Sequence, residues 1–312
     1  MRDWKERLLS RGILVLDGAW GTEMMKRGLL PGECPELWNL NRPDDVRAIA
    51  RSYREAGADI ILTNTFGGNY FKLRKNGVSL EEVKKINKRG VELSREMAGD
   101  CLVFASIGPT GEFLKPLGKI TEDEMVTCFK QQVDAFVEGG ADGVIIETMS
   151  DLNEAKCALR AVRESSNLPV AVSMTFNKGE KGYATVMGIT PDRAAKELEK
   201  TGADIVGANC SFGIENMVEV AGIIRPVTHL PLWIKPNAGI PQLREGKTIY
   251  PETPEQMVKF VPDLIKEGVS MIGGCCGTTP DHIRLIASKV RSYIDIARRY
   301  LETVVKFKNS GV

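Results

Sequence analysis

Eight short apolar runs recur along the 312 residues, each followed by small or polar residues and then by a stretch with helical spacing. Runs of about five apolar residues without alternation are typical of strands that are buried on both faces, as in a parallel sheet. Divided among eight units, the chain has about 39 residues per unit, enough for one strand, one helix and their loops. The pattern predicts an α/β protein that folds as a single (β/α)8 TIM barrel.

Every second run carries a similar local sequence, which is a weak internal repeat. These runs read GADIILTNT from Gly57, GADGVIIET from Gly140, GADIVGANC from Gly202 and GVSMIGGCC from Gly268. In each, a glycine that ends a helix leads into a buried strand. The other four runs lie at 13–16, 102–107, 170–174 and 232–234. Capping boxes at Ser79–Glu82, Thr121–Glu124 and Thr253–Gln256 predict where three of the helices begin.

An open doubly wound sheet is the alternative architecture. Its dinucleotide-binding form carries a G-x-G-x-x-G turn after the first strand. The turn here reads DGAWGT, in which the glycines have a different spacing. The barrel is therefore favoured.

Composition narrows the functional class. The 42 Lys and Arg residues nearly balance the 41 Asp and Glu residues, so nothing argues for nucleic acid as a partner. The first ten residues are charged, and no stretch approaches the roughly 20 apolar residues of a membrane span. We expect a cytoplasmic protein without membrane contact whose seven cysteines are reduced, some of them available to a metal.

The residues that follow the strands matter most, because the C-terminal ends of barrel strands form the active-site face. Among them are Asp17 and Gly18 after the first strand, Thr65 after the second, Glu147 after the fourth, Cys210 after the sixth, Asn237 after the seventh, and Cys275 and Cys276 after the eighth. Three cysteines are thus predicted to meet at one rim. Zinc prefers thiolate ligands, and three protein ligands leave a fourth position open. Such an electron-rich centre would keep a bound thiol deprotonated and nucleophilic.

The other candidate residues have structural alternatives. Cys34, Cys101, Cys128 and Cys157 are interpreted as core residues, since cysteine behaves as a small hydrophobe. His282 is expected in the first turn of a helix and His229 at the opposite face of the barrel, so neither is a predicted ligand. Glu147 ends an apolar strand and needs a cationic or donor partner, for which a substrate amino group would serve. Asp17 has the same requirement but is equally explained as a turn-stabilising aspartate.

Taken together, the motifs resemble a known family. DGAWGTE, LTNTF, IGPTGE, IIET, NCS, KPNAG and GGCCGTTP occur in this order, as in the zinc-dependent homocysteine S-methyltransferases. The KPNAG segment is closest to the homocysteine-binding module of cobalamin-dependent methionine synthase. The resemblance covers essentially the whole chain, which implies one domain over residues 1–312 with a C-terminal helix at about 290–308.

The resemblance implies a reaction and a set of site residues. Zinc would be bound by Cys210, Cys275 and Cys276, with the thiolate of homocysteine as the fourth ligand and methionine as the product. The amino acid end of homocysteine would be held near Asp17 and Gly18, with help from Thr65 and Glu147, and Asn237 could approach the metal when substrate is missing.

The methyl donor is less clear from the resemblance. The chain shows no donor module after its last helical stretch, so a separate protein that carries methylcobalamin or another corrinoid is the expected partner. Small donors such as S-methylmethionine, S-adenosylmethionine or betaine are one alternative, and Trp20, Phe66, Tyr70 and Phe212 could then form a cage for the cation. The other alternative is that the chain is an excised module of a longer protein. Two other classes stay open: a phosphate-binding barrel lyase that uses the GGCCG turn, and a non-catalytic corrinoid-partner subunit. The oligomeric state is open.

Overall fold

The predicted barrel is present. A computed structural model describes residues 3–244 and 247–309, with side chains described for 3–243 and 248–299. The eight strands of the main sheet are β1 Leu14–Val15, β2 Ile60–Leu62, β3 Leu102–Ile107, β4 Gly143–Met149, β5 Val170–Met174, β6 Ile205–Asn209, β7 Leu232–Lys235 and β8 Met271–Ile272. From β2 to β7 each strand pairs in parallel with the one that follows it, β8 pairs with β1, and a bridge between Leu16 and Ile60 closes the ring between β1 and β2.

Helices surround this ring. They are α1 Trp4–Arg11, α2 Gly21–Lys26, α3 Trp38–Asn41, α4 Pro43–Ala56, α5 Tyr70–Leu73, α6 Leu80–Ala98, α7 Glu122–Gly139, α8 Leu152–Ser165, α9 Pro191–Thr201, α10 Ile214–Ile224, α11 Pro254–Met257, α12 Val261–Lys266 and α13 Pro280–Asn309. Two small antiparallel hairpins, Asn177–Gly179 with Gly182–Ala184 and Gln242–Arg244 with Lys247–Ile249, lie in the loops after β5 and β7. The C-terminal helix begins at Pro280, earlier than the predicted 290.

The strands are buried on both faces, which explains their continuous apolar sequences. In β3, Leu102 and Phe104 belong to the cluster inside the barrel, whereas Val103 and Ala105 pack outward against the helices. Phe104 stacks on Trp233 of β7 with ring centroids 5.8 Å apart and fills the barrel interior. The barrel is therefore a packed core, and the room for a site lies above it.

Helix boundaries follow the predicted signals. All three capping boxes form as expected. The glycine that precedes each even-numbered strand has a positive φ, between 75° and 101°, a conformation that glycine adopts without strain. The local sequence thus sets where these helices end and the strands begin.

The repeated GAD motif also has a tertiary role. The carboxylates of Asp59, Asp142 and Asp204 each accept a hydrogen bond from a backbone N–H of the preceding odd-numbered strand. Each also pairs with an arginine, which for Asp142 is Arg95 of α6. The aspartates therefore join adjacent strands and tie them to the helices at the N-terminal face of the barrel.

We expect Asp142→Ala to lower the free energy of unfolding by about 2 kcal/mol, because it leaves the buried N–H of Val103 without its acceptor. Chemical denaturation measures this. The exposed Asp134 on α7 provides a control, and Asp134→Ala should change stability by less than about 0.5 kcal/mol. Equal effects of the two substitutions would contradict the assigned role of the motif.

None of the helices in the part of the chain that the structure describes is long and apolar enough to cross a membrane. A cytoplasmic location and a single domain over residues 1–312 stay predictions of the sequence.

Candidate active site

The three predicted cysteines do meet at one rim. The Sγ atoms of Cys210, Cys275 and Cys276 all lie within 4.8 Å of one another. The loop after β7 joins the two segments that carry them, since the N–H of Cys210 donates to the carbonyl of Lys235 and the N–H of Cys275 to that of Pro236. Among the side chains that the structure describes, those of residues 3–243 and 248–299, no other set of three His, Cys, Asp or Glu ligand atoms lies this close together.

The backbone around the cysteines is tightly constrained. Cys210 has φ 66°, in the left-handed region that residues with a side chain rarely adopt, and such strain often marks a functional site. Gly277 has φ 82°, and a Cβ there would lie 2.2 Å from the ring of Tyr250. The hydroxyl of Thr278 donates to the carbonyl of Cys275 at 2.7 Å. Glycine is therefore required at position 277 for the turn that places the two neighbouring thiols beside each other.

The amides of this turn argue against the phosphate-binding alternative. The N–H groups of Gly273, Gly274 and Cys275 donate to the carbonyls of Ile234, Asp17 and Pro236, at 3.1, 3.0 and 2.7 Å. They are used to hold the turn in place, so they are not directed at a ligand. Three of the five amides of the GGCCG segment thus support the position of the thiols and are not free to bind an anion.

The donor set fits a metal. The hydrogen bond with Cys275 lowers the pKa of Cys210, whereas the one with Cys276 raises it. Burial raises it as well, and the resulting pKa is about 11. For Cys275 and Cys276 the hydrogen bonds between thiols again act in both directions, and the charge of a neighbouring cysteine together with burial raises the pKa of each to about 12. Three thiols this close can ionise together only beside a cation, and thiolates are the ligands of soft and borderline metals. The cluster can bind such a metal.

A cavity of about 240 Å³ opens beside the cysteines. Of the predicted site residues, Gly18, Glu147, Cys210, Cys275 and Cys276 line it. Its apolar wall is formed by Ala19, Trp20, Met24, Pro35, Leu62 and Phe66. The polar side also includes Lys235, Thr148, Ser106, Thr63, Asn64 and Glu36. The cavity therefore combines a thiol cluster, the two carboxylates of Glu147 and Glu36, and an apolar wall.

Glu147 is almost completely buried at the end of β4. Its Oε1 accepts a hydrogen bond from Ser106 Oγ at 2.5 Å. Burial raises its pKa, while the positive charge of Lys235 and the Ser106 hydrogen bond oppose the rise. The pairing of β4 with β5 is irregular between Ile146 and Met149, and an irregularity of this kind re-aims a side chain. A carboxylate thus faces the cavity.

Asp17 is placed differently from the prediction. It is fully buried and is absent from the cavity lining. Its Oδ1 accepts from Lys235 Nζ at 2.6 Å, and its Oδ2 accepts from Trp20 Nε1 and from the N–H of Leu62, both at 2.8 Å. These partners leave Asp17 committed to the protein itself. Its sequence neighbour Gly18 forms the wall instead.

Lys235 is the main residue that sequence reasoning missed. It is 2% exposed, lines the cavity and pairs with Asp17. Burial alone would lower its pKa, but the charges of Asp17, Glu147 and Cys275 outweigh burial and raise it. The available signal was a charged residue that ends an apolar strand, LWIK, which is the reasoning applied to Glu147.

Two further predicted residues lie behind the cavity wall. Thr65 is fully buried, and its hydroxyl is within hydrogen-bonding distance of Thr63 and of the Ser106 carbonyl. Asn237 is 2% exposed and donates its N–H to the carbonyl of Phe212. Its Oδ1 has no hydrogen-bond partner among the residues that the structure describes. Neither side chain belongs to the lining of the cavity.

The remaining candidates have structural roles. His282 is buried and bonds to Thr279 and to the carbonyl of Glu252, away from the cysteine cluster. Cys101, Cys128 and Cys157 are buried in the core, and Cys34 bonds to Glu36. Trp20 and Phe66 line the cavity, whereas Phe212 packs edge-to-face on Tyr183 and Tyr70 packs against the core. Half of the suggested aromatic cage is therefore present.

The chain is similar to proteins of known families. Residues 14–290 match the family model described as homocysteine S-methyltransferase. A methionine synthase from Mycobacterium leprae is 33% identical over 301 residues, which is 90% of this chain but 24% of that protein. Betaine–homocysteine S-methyltransferase 1 from Bos taurus is 30% identical over 319 residues, covering 94% of this chain and 76% of that protein. The chain thus spans about a quarter of the length of the mycobacterial relative.

Solved structures agree on the fold. The metallated form of the homocysteine methyltransferase MmuM from Escherichia coli superposes with a TM-score of 0.76, covering 91% of this chain and 99% of that one. The sequences are 23% identical, so this likeness supports the architecture alone.

Proposed function

Because the chain belongs to the homocysteine S-methyltransferase family, we propose that it transfers a methyl group to the sulfur of homocysteine and forms methionine. One observation carries the proposal: the three-cysteine cluster and Glu147 line the same small cavity. A thiol and an ammonium group are the two ends of homocysteine that these walls can recognise. The thiolate sulfur attacks the methyl carbon, and the donor keeps the electron pair of the bond that breaks.

Cys210, Cys275 and Cys276 are proposed to hold zinc. When bound, zinc would supply the positive charge that keeps a substrate thiol ionised at neutral pH. The thiol proton passes to solvent during binding. The donor set supports this assignment, since three thiolates suit zinc and leave room for one more ligand.

The other walls are proposed to hold the amino acid. Glu147 would bind the α-ammonium group, and the apolar wall with Trp20 would pack on the methylene chain. Asp17 acts indirectly by fixing Lys235, whose charge opposes the rise that burial causes in the pKa of Glu147. The backbone of Gly18 would form the part of the wall near the carboxylate of homocysteine.

Two residues behind the wall are proposed to act at a distance from the amino acid. Thr65 supports Ser106 through the backbone. Asn237 has the unpartnered oxygen that could approach the metal before substrate binds.

We expect Glu147→Gln to raise the Kd of L-homocysteine about tenfold to a hundredfold, since it removes the charge that pairs with the ammonium group. Calorimetry on the zinc-loaded protein measures this. 4-Mercaptobutyrate has the same thiol and chain but no amino group, so the substitution should leave its Kd within about threefold. Equal weakening of both ligands would contradict the assignment of Glu147.

For the donor, we propose a methylcorrinoid that a separate protein presents at the cavity mouth. The cavity, at about 240 Å³, has room for an amino acid and not for a corrinoid ring, so such a donor must approach from outside. Exposed apolar side chains on the loops after β3, β5 and β7, namely Phe113, Leu117, Val186 and Ile240, support a protein partner there.

A small cationic donor is the second candidate, because Trp20 and Phe66 face the cavity and aromatic rings attract sulfonium and ammonium groups. The test incubates zinc-loaded protein and L-homocysteine anaerobically with methylcobalamin, S-methylmethionine, S-adenosylmethionine or betaine, and follows methionine by mass. Methionine matched by loss of methylcobalamin supports the corrinoid donor. Methionine from one of the other three compounds alone would replace it with that compound.

A further inference from the structure

Asn209, the last residue of β6, connects the cysteine cluster to the Glu147 segment. Its side chain is fully buried, and the residue directly precedes Cys210 in the sequence. Its Oδ1 accepts from the N–H of Thr148 at 2.9 Å and from Ser173 Oγ at 2.7 Å. Its Nδ2 donates to Thr148 Oγ1 at 2.7 Å and approaches Cys275 Sγ at 3.7 Å. Every hydrogen-bonding position of the amide is therefore used, on three different strands or loops.

Thr148 needs this support. It has φ 60°, which is a strained conformation for a β-branched residue, and it directly follows Glu147 at the irregular point of β4. Two hydrogen bonds from one buried side chain hold it there. If they were lost, Thr148 could relax toward an ordinary conformation, and the carboxylate of Glu147 would turn with it.

The contact to Cys275 fixes the other end. An N–H that points at a cysteine sulfur stabilises the thiolate and orients it, as partners of metal ligands generally do. Asn209 also shares a peptide bond with Cys210, so its position is transmitted to two of the three cysteines. One rigid side chain thus spans the gap between the thiol end and the ammonium end of the pocket.

We propose that Asn209 is a positioning residue that sets the separation between the three-cysteine centre and Glu147, and thereby selects homocysteine over cysteine, which is one methylene shorter. This rests on the proposed function, since it assigns the two ends of the pocket to the thiol and the ammonium group. Shape alone discriminates one methylene by about 10- to 200-fold, and only if the two ends are held rigidly. Asn209 supplies that rigidity.

The test measures the Kd values of L-homocysteine and L-cysteine by calorimetry on zinc-loaded wild type, Asn209→Ala and Asn209→Asp. In the alanine variant we expect the Kd of L-homocysteine to rise about tenfold and that of L-cysteine to change less than about threefold, so that discrimination falls by a similar factor. The aspartate variant keeps an acceptor for the N–H of Thr148 and the hydroxyl of Ser173. It therefore keeps the test decisive if the alanine variant does not fold. It should show a smaller loss of discrimination.

A second readout separates positioning from general destabilisation. With Co²⁺ in place of zinc, both variants should shift the thiolate-to-cobalt absorption band at unchanged metal stoichiometry, because the N–H to Cys275 Sγ is lost. Asn216→Ala is the matched control: Asn216 lies on α10, donates to the hydroxyl of Tyr183 in the Gly182–Ala184 strand and does not line the cavity, so its loss should change neither the band nor the Kd ratio.

The outcomes are distinct. Wild-type protein that binds zinc but not L-homocysteine overturns the proposed function together with this inference. Wild-type binding with an unchanged Kd ratio in Asn209→Ala and Asn209→Asp overturns the role of Asn209 alone.

Discussion

Replacing Cys275 by alanine is expected to weaken metal binding about a hundredfold and to abolish methyl transfer while the barrel stays folded. Zinc bound through four ligands contributes about 10–16 kcal/mol, so the loss of one thiolate should cost about 3 kcal/mol, or about a hundredfold in affinity. The turn that carries Cys275 is held by backbone hydrogen bonds that alanine keeps. Metal content by mass spectrometry and methionine formation are measured on the same preparation.

Cys157→Ala is the matched control for this experiment. Cys157 is also a reduced, buried cysteine, but it lies in α8 and outside the cluster. We expect full metal content and activity in that variant, with a loss of stability of about 1 kcal/mol from the small cavity. Full zinc stoichiometry in Cys275→Ala, at an unchanged affinity, would show that Cys275 is not a ligand.

The largest effect on stability is expected from Lys235→Met. The substitution leaves the fully buried carboxylate of Asp17 without its cation, and the loss of one partner of a buried ion pair costs about 3–5 kcal/mol. Chemical denaturation of the metal-free protein measures the change without a contribution from metal binding. Homocysteine binding should weaken as well, since the variant lacks the positive charge that lowers the pKa of Glu147.

The double variant Asp17→Asn and Lys235→Met isolates the charge. It removes the uncompensated carboxylate while keeping an acceptor for Trp20 and for the N–H of Leu62. We expect it to regain at least half of the stability that the single variant loses. A double variant less stable than Lys235→Met would contradict the assignment of Lys235 and Asp17 as a buried pair.

The sequence was sufficient for the barrel and for the three-cysteine cluster. Continuous apolar runs can be satisfied only by strands that are covered on both faces, and glycine or a capping box marks the ends of many helices. The C-terminal ends of parallel strands necessarily share one face, so Cys210 and the pair Cys275 and Cys276 meet without knowledge of the register. These features depend on local pattern and topology.

The directions of individual side chains could not be predicted in the same way. Asp17 and Lys235 are 218 residues apart, and their pairing depends on how strands β1, β8 and β7 stagger in the ring. The same holds for Asn209, whose four hydrogen-bond contacts are with three residues from three segments. Asp17 was expected to face the substrate, yet its oxygens are used up by neighbours that only the fold brings to it.

The central claim is that the three-cysteine centre holds homocysteine as a thiolate. Calorimetric titration of L-homocysteine in buffers of different ionisation enthalpy measures the protons released per molecule bound. At neutral pH a free thiol is almost fully protonated, so zinc-loaded wild type should release about one proton, and zinc-free protein or Cys275→Ala should release none. Binding of L-homocysteine to the zinc-loaded protein without proton release, or equal release without zinc, would contradict the account.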